Sequence, residues 1–589
     1  MNAERLLDLY EQVAEAPDAV PRLRRFVLDL AVRGKLVAQD PADEPASELL
    51  KQIAVEKARL VKAGAIRKPK ALEPVDEAPF EIPASWQWAR LGEIAELVRG
   101  ISFPASAKST EPGAGRIPCF RSGNIQAQTV WGDFIYVPED TLRSSDQMVR
   151  PGDVLISIAN SYALVGKCSI VNEAPYPATF GAFLAAIRQH LILPEYAKAF
   201  LISDHSAMAF RVGSSQTTNI ANITFSTIRG HPFAIPPLAE QRRIVAKVDE
   251  LMALLDRLEA ARTAREATRD RLTAASLARL TASEPGPDND LADFPANARF
   301  ALATLPALTT RPDQIKPLRQ TILNLAVRGK LVKQDPTDEP ASELLKRIAA
   351  EKAAMKGRKG ARTRNEVASI APSGMAIPLR WESVRLDAIS TFENGDRSSN
   401  YPSGPDIKSE GIPFFSTKNL SDHRLGFTDL DFISPEKFSS LRSGKLKNLD
   451  VLITLRGSVG KFGLFKATEH ITTGFINAQL LIIRCLDPKI VPYLVTCMQS
   501  DDFEQQIALL SSGAATPQLS AGKLAEAMIP LPPLAEQHRI VAKVDALMAL
   551  CDRLEAALTT ADTTRARLLE ALLHEALAPV AEAVSEAAE

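Results

Sequence analysis

Two short turns place a lysine where a phosphate could meet it. Val-Gly-Lys occurs at Val165–Lys167 and again at Val459–Lys461. Neither is a nucleotide-binding P-loop, because the first glycine of G-x-x-x-x-G-K and the hydroxyl residue after the lysine are missing. Each reads as a turn between two strands, and such a turn can bring a lysine and a backbone N–H to a DNA phosphate. Two polar loops stand in matching places, Gly213-Ser-Ser-Gln-Thr-Thr-Asn219 and Ser511-Ser-Gly-Ala-Ala-Thr-Pro-Gln518. Their small residues permit close backbone approach, and Gln or Asn can bond adenine with two hydrogen bonds. A third, Glu393–Tyr401, carries Arg397, which has the reach for guanine or a phosphate. The same compositions also suit ordinary solvent loops. The candidate DNA contacts in the first half are Arg121, Asn124, Lys167, Ser214, Ser215, Gln216, Thr217 and Asn219. In the second half they are Arg397, Ser398, Asn400, Lys418, Asn419, Arg456, Lys461, Ser512 and Gln518.

Residues for bond-breaking chemistry do not assemble. The chain has no N-P-P-Y or D-P-P-Y tetrapeptide, no G-x-S-x-G, no H-E-x-x-H and no helicase motif. Asp153 and Asp450 precede strands, but neither half offers the second carboxylate and lysine of a D…(D/E)-x-K nuclease, so both read as turn residues. The seven histidines are scattered, and His231 and His538 read as packing or surface residues. Five cysteines with no C-x-x-C pair fit neither a disulfide framework nor a zinc site. Neither a recognised catalytic motif nor a zinc-site spacing appears in this chain.

The elements that must position the polar loops occur twice. PPLAEQRRIVAKVDELMALLDRLEAA starts at Pro236 and PPLAEQHRIVAKVDALMALCDRLEAA at Pro532, an offset of 296. The prolines cannot sit inside a helix and mark where one begins, and Glu240 suits the positive end of its dipole. Apolar residues follow at Ile244, Val248, Leu251, Leu255 and Leu258, and again at Ile540, Val544, Leu547, Cys551 and Leu554. The spacing of four and three is a coiled-coil seam. A helix of about 40 residues would be roughly 60 Å long, so the two copies are expected to pack on each other or on other helices of the chain. Upstream, LRRFVLDLAVRGKLV, D-P-A-D-E-P and ASELLKQIAVEKARL return as LRQTILNLAVRGKLV, D-P-T-D-E-P and ASELLKRIAAEKAAM, with Leu30 matching Leu325. A short amphipathic helix is read over Leu6–Val13 as well. One unit of about 295 residues is therefore used twice.

Between the helical blocks lie mixed α/β segments. They match only in outline, as in GDVLISIANSYALVGK from Gly152 against LDVLITLRGSVGK from Leu449. Val154–Ile158 and Val451–Leu455 read as strands, Leu191–Ser203 and Ile490–Ser500 as helices. The divisions expected are an N-terminal helical region at 1–79, an insert at 80–235, a long helix at 236–283 and a linker at 284–313. A second helical region follows at 314–376, then an insert at 377–531, a long helix at 532–578 and a tail at 579–589.

Composition bounds the partners. The 589 residues carry a formal charge of −1, and each insert is nearly neutral, so a nucleic-acid surface would have to be a local cluster. The N-terminus reads as no signal peptide, and no run approaches the roughly 18 apolar residues a membrane span needs. A cytoplasmic protein is expected.

The doubled P-P-L-A-E-Q-x-R-I-V-A-K-V-D entry, the G-D-V-L-I-S strand and the G-S-S-Q loop resemble the specificity subunit of type I restriction–modification systems, over nearly the whole chain. Ser511-Ser-Gly departs from the Gly-Ser-Ser order of the first half. The resemblance implies an α+β fold. Two mixed α/β target-recognition domains are joined by a pair of long antiparallel coiled-coil helices, with an internal pseudo-twofold repeat. It implies double-stranded DNA as ligand, read as an asymmetric bipartite target. It implies two modification (methyltransferase) subunits and restriction (translocase/endonuclease) subunits as partners, docked in part through the seam residues. S-adenosylmethionine would sit in the modification subunit, and ATP and Mg in the restriction subunit. Two other readings remain at this point, a coiled-coil scaffold and a free-standing DNA-binding protein or nuclease.

Overall fold

The computed structural model describes residues 15–68, 70–216, 220–281, 308–356, 377–513 and 517–577. The expected helix at Leu6–Val13, the tail and most of the linker lie outside them. The chain divides into two compact units, Met1–Ala264 with Asp562–Glu589, and Arg265–Ala561. The long helices run Leu238–Thr281 and Leu534–Leu577, 44 residues each, or about 66 Å at about 1.5 Å per residue. Each begins in one unit and ends in the other.

Within the first unit, the helix Ala19–Val32 is apolar on two faces. One face, with Val20, Val27 and Ala31, joins a core that contains Ile244, Val248 and Leu255, with Leu251 and Leu258 packed against it. The other, with Ala19 and Phe26, meets Leu569, Leu572 and Leu573. Each buried leucine contributes about 1.5–3 kcal/mol by leaving water. These three outweigh the exposed Arg22–Glu570 pair, 3.4 Å apart, on the same helix. The helix ends at Gly34, whose φ of +68° suits glycine and whose Cβ would strike the Pro83 ring.

The second unit repeats this plan. Ile322, Val327 and Ala326 of the helix Ile315–Val327 share a core with Ile540, Val544 and Cys551, and Leu547 packs against it. Leu318 and Leu325 meet Leu277 and Leu280. Gly329 repeats the left-handed end against Pro378. The heptad seam therefore packs on the helices and insert of its own unit, the second of the two arrangements expected from the sequence. Leu554 departs from the seam: it is 38% exposed, and Leu558 packs against the core instead.

Each insert is clasped at its ends. Gln87–Arg90 pairs with Pro232–Ile235, and Glu382–Arg385 with Met528–Leu531, both antiparallel. The strand leaving each clasp ends at the double proline that starts a long helix, so the insert is anchored at the helix entry. Beyond the clasp lies a four-stranded antiparallel sheet, ordered Ala95–Arg99, Leu184–Gln189, Val154–Ser157, Cys168–Ile170 in the first unit. The second orders Ser390–Asn394, Leu480–Cys485, Val451–Thr454, Phe462–Leu464. A three-stranded sheet with one parallel pair accompanies each. The expected strands after Asp153 and Asp450 are present, and each is buried along its whole length. The helices expected at Leu191–Ser203 and Ile490–Ser500 are present as Pro194–Leu201 and Val491–Met498, and each is followed by a second helix, Asp204–Val212 or Asp501–Leu510. Ser203 and Ser500 cap these second helices, accepting from the Ser206 and Phe503 N–H groups.

Glu240 and Glu536 do more than suit a dipole. Glu240 is buried and accepts from Trp86 Nε1 at 2.9 Å and Gln39 Nε2 at 2.6 Å. Glu536 accepts likewise from Trp381 and Gln334. Burial raises both carboxyls above their ordinary range against the pull of those donors. Arg243–Asp43 and Arg539–Asp338, both 2.6 Å, fasten the Asp-Pro loops to the same helix starts. The joint of insert, helical region and long helix is thus duplicated bond for bond.

Candidate nucleic-acid interface

A narrow ribbon rises from the end of the central strand in each unit. In the first, Ala159–Asn160 pairs antiparallel with Ala221–Asn222, which pairs with Ser215–Gln216. In the second, Arg456 lies opposite Gln518, and Gln518 opposite Ser512. Mutual N–H···O bonds of 2.9 and 2.8 Å hold the latter pair. The ribbon is fixed to the core beneath it by Ile223 N–H to Ile158 O, 2.8 Å, and by Leu519 N–H to Leu455 O, 2.9 Å. The buried Ile158, Ile223, Leu455 and Leu519 are the apolar partners of these bonds. Alternation then sends the neighbouring ribbon side chains to the opposite face.

In the second unit the ribbon forms one wall of a cleft of about 350 Å³. Arg397, Arg456, Ser512 and Gln518, four residues singled out in the sequence, line it together, as do Asn394 and Lys523. Three cations and no carboxylate line this cleft, so it is a local positive site on a segment that is neutral as a whole. Arg397 donates to the Ala478 carbonyl at 3.2 Å, and Lys523 is 3.0 Å from Glu526. The side chains of Arg456 and Gln518 are exposed and have no partner among the described residues.

Other expected residues are placed differently. Asn124 and Asn419 are buried and hold their own loops. Asn124 Oδ1 accepts from Arg121 N–H and its Nδ2 donates to the Gly132 carbonyl, while Asn419 bonds Ser416 N–H and the Asp429 carbonyl. Both are corrections, since a satisfied buried amide has nothing left for a base edge. Ser398 and Asn400 likewise serve their loop: Ser398 Oγ accepts from Asn400 N–H, and Asn400 donates to the Ser440 carbonyl. Arg121 donates to Asp133, and Lys418 sits 3.1 Å from Asp431, whose bond holds the lysine pKa above its ordinary value. Ser214 donates to the Arg211 carbonyl; Ser215 and Gln216 are exposed on the ribbon. Thr217 and Asn219 lie outside the described residues.

The Val-Gly-Lys motifs are turns between paired strands. Gly166 and Gly460 have φ near +85°, and their N–H groups donate back to the Ser157 and Thr454 carbonyls. Lys461 is exposed, and Lys167 donates to Gln126 Oε1 at 3.0 Å. Asp153 and Asp450 exceed their expected turn role. Each is buried against an arginine, Asp153 with Arg188 at 2.8 Å and Asp450 with Arg484 at 2.6 Å. Among the described residues no group of three His, Cys, Asp or Glu side chains could hold a metal ion, and no helix is long and apolar enough to cross a membrane.

Sequence reading missed Asn222, Ala159, Asn394 and Lys523. The first had a signal. Asn222 stands 14 residues before Pro236 (236 − 222), and Gln518 stands 14 before Pro532 (532 − 518). Counting back from the double prolines pairs these two amides, where matching the serine-rich strings pairs Gln216 with Gln518.

A family model described as the type I restriction modification DNA specificity domain matches residues 83–265 and 378–561. The type I restriction enzyme EcoAI specificity subunit of Escherichia coli is 31% identical, over 95% of this chain and 94% of its own. The EcoEI specificity subunit, also of Escherichia coli, is 29% identical with the same coverage. A chain from a solved structure on assembly and conformational transition of the type I R-M system aligns with a TM-score of 0.48 at 20% identity. It covers 85% of this chain and 99% of that one.

Proposed function

The chain belongs to the DNA specificity subunits of type I restriction–modification systems, with two target-recognition domains and no catalytic role, and we propose that its two inserts read the two halves of an asymmetric, bipartite DNA target. The observation that carries this reading is the pair of ribbons. They stand at the same place on the same frame and differ in the side chains they present. A two-stranded β-ribbon fits the DNA major groove, and each ribbon ends in such a pair, Ser215 with Asn222 in the first unit and Ser512 with Gln518 in the second. The readers are Ser215 of the first unit and Arg397, Arg456, Ser512 and Gln518 of the second, with Lys167 and Lys461 on nearby phosphates; Gln216, next to Ser215 on its strand, leaves the other face of the ribbon. Arg121 and Lys418 are already ion-paired and contribute less.

Methylation and cleavage belong to partner subunits. The duplicated joint at Glu240 and Glu536 gives two equivalent platforms, so two modification subunits bind per chain, and restriction subunits join that assembly. S-adenosylmethionine, ATP and Mg are held by those partners, in the cytoplasm. Near neutrality fits a reader that shares phosphate neutralisation with them. A gel-shift titration at fixed salt tests this. The chain with its modification subunits is expected to shift a duplex bearing the cell's modified motif at lower concentration than a scrambled duplex, and the chain alone is expected to bind weakly. Equal shifts of both duplexes by the assembly would leave a scaffold. Metal-dependent cutting by the chain alone would make it a nuclease.

A further inference from the structure

The ribbons assign a common reading row. Residues opposite each other on antiparallel strands project to the same face, with Cβ atoms about 4.5–5.5 Å apart. In the second unit the row is Arg456, Gln518, Ser512; in the first it is Ala159, Asn222, Ser215. Serine and a carboxamide recur, and the third position changes from arginine to alanine. Successive bases on a strand are about 3.4 Å apart, so neighbours in the row reach neighbouring base pairs. The amides are uncommitted: no described residue bonds the side chain of Gln518 or Asn222.

Resting on the reading of the inserts as DNA readers, we propose that this row is the specificity-determining element of each head. The carboxamide reads an adenine in each half-site, through its N6 and N7 edge. The residue beside it reads the next base pair, guanine O6 and N7 for Arg456, and a thymine methyl group against Ala159. These pairings follow from the donors and acceptors each base shows in the major groove. The surroundings agree. Tyr162, Leu164 and Phe183 leave an exposed apolar margin near Ala159, where the second unit has Gln479 in the place of Phe183 and cations along the cleft.

The test uses the full chain assembled with its modification subunits and maps methylated motifs on genomic DNA. The wild-type motif is expected to carry a guanine next to an adenine in one half and a thymine next to an adenine in the other. Arg456→Ala is expected to relax the guanine position alone, with discrimination there falling at least about fivefold. Ala159→Arg is expected to shift the matching position of the other half towards guanine. Both residues are exposed or half-exposed, and size-exclusion chromatography of the assembly confirms each variant folds. A uniform loss of binding by Arg456→Ala across all duplexes would make Arg456 a phosphate contact and overturn the row while leaving the two-headed reader standing. A motif unchanged by both variants would overturn the row too. A wild-type assembly without any sequence preference would instead refute the reading on which the row rests.

Discussion

The two reading faces stand on matching frames, keep a serine and a carboxamide in the row, and differ in the side chains around that pair. Where the first unit presents Ala159, Tyr162, Leu164 and Phe183, the second presents Arg456 and Gln479 above a cleft with Arg397 and Lys523. Beneath them the frame barely varies: Trp86–Glu240 and Trp381–Glu536, Arg188–Asp153 and Arg484–Asp450, Ile158–Ile223 and Leu455–Leu519. The difference teaches where this architecture admits change. Side chains leaving the ribbon bear no packing, so they can be replaced without disturbing the sheet. Those one residue away are buried and bonded, and stay.

The frames also differ under the helix Ala19–Val32. Asp29 and Asp204 meet there in the first unit, where the second pairs Asn324 Nδ2 with Asp501 Oδ2 at 2.7 Å. Burial, then the charge of Asp204, lifts the Asp29 carboxyl to about 6. Nearby, His205 and His231 stack 5.5 Å apart in the first unit, in a core where the second unit has the ion pair Arg328–Asp502. Burial, reinforced by His205, pushes His231 down to about 3.

The largest effect should come from breaking what the units share. Arg188→Ala and Arg484→Ala each strand a buried carboxylate, Asp153 or Asp450, at a cost of about 3–5 kcal/mol. Hydrogen exchange should lose protection in the altered unit's four-stranded sheet. A loss confined to one of the two variants would mean the frames are not equivalent. A smaller effect sharpens the difference between them. Asp29→Asn should stabilise the first unit by about 3 kcal/mol at pH 7. The sign follows from linkage: with a folded value near 6 and an unfolded value near 3.8, the ionised carboxyl opposes folding above pH 6, less between 6 and 3.8, and not below. The gain should therefore vanish towards pH 4 in thermal melts. His231 acts in the opposite sense, its neutral form being needed for folding. Stability is lost as pH falls from its ordinary value of 6.5 towards 3, so acid sensitivity of the first unit should be steeper once Asp29 is replaced.

Much of this was legible in the sequence because repetition is a strong signal. The long helices, the double-proline starts, the strands after Asp153 and Asp450 and the inserts between them all follow from period and punctuation. The site was half legible. Arg397, Arg456, Ser512 and Gln518 meet in one cleft, yet Asn124 and Asn419 looked the same in sequence and turned inward. Asparagine in a polar loop serves a base edge or its own backbone equally well, and only the fold decides which. Asn222 stayed hidden because no string around it repeats. Leu554 misled for another reason: its counterpart Leu258, at the same place in the same spacing, packs against the first unit's core, and only the fold separates the two.

The central claim is that one frame carries two independent readers. Replacing residues 80–235 by an unrelated insert of this family, and mapping the methylated motif in cells that carry the chimera, tests it most directly. One half of the target should change, while the other half and the gap between them stay as they were. A chimera that assembles and methylates, but with both halves or the gap altered, would contradict the account.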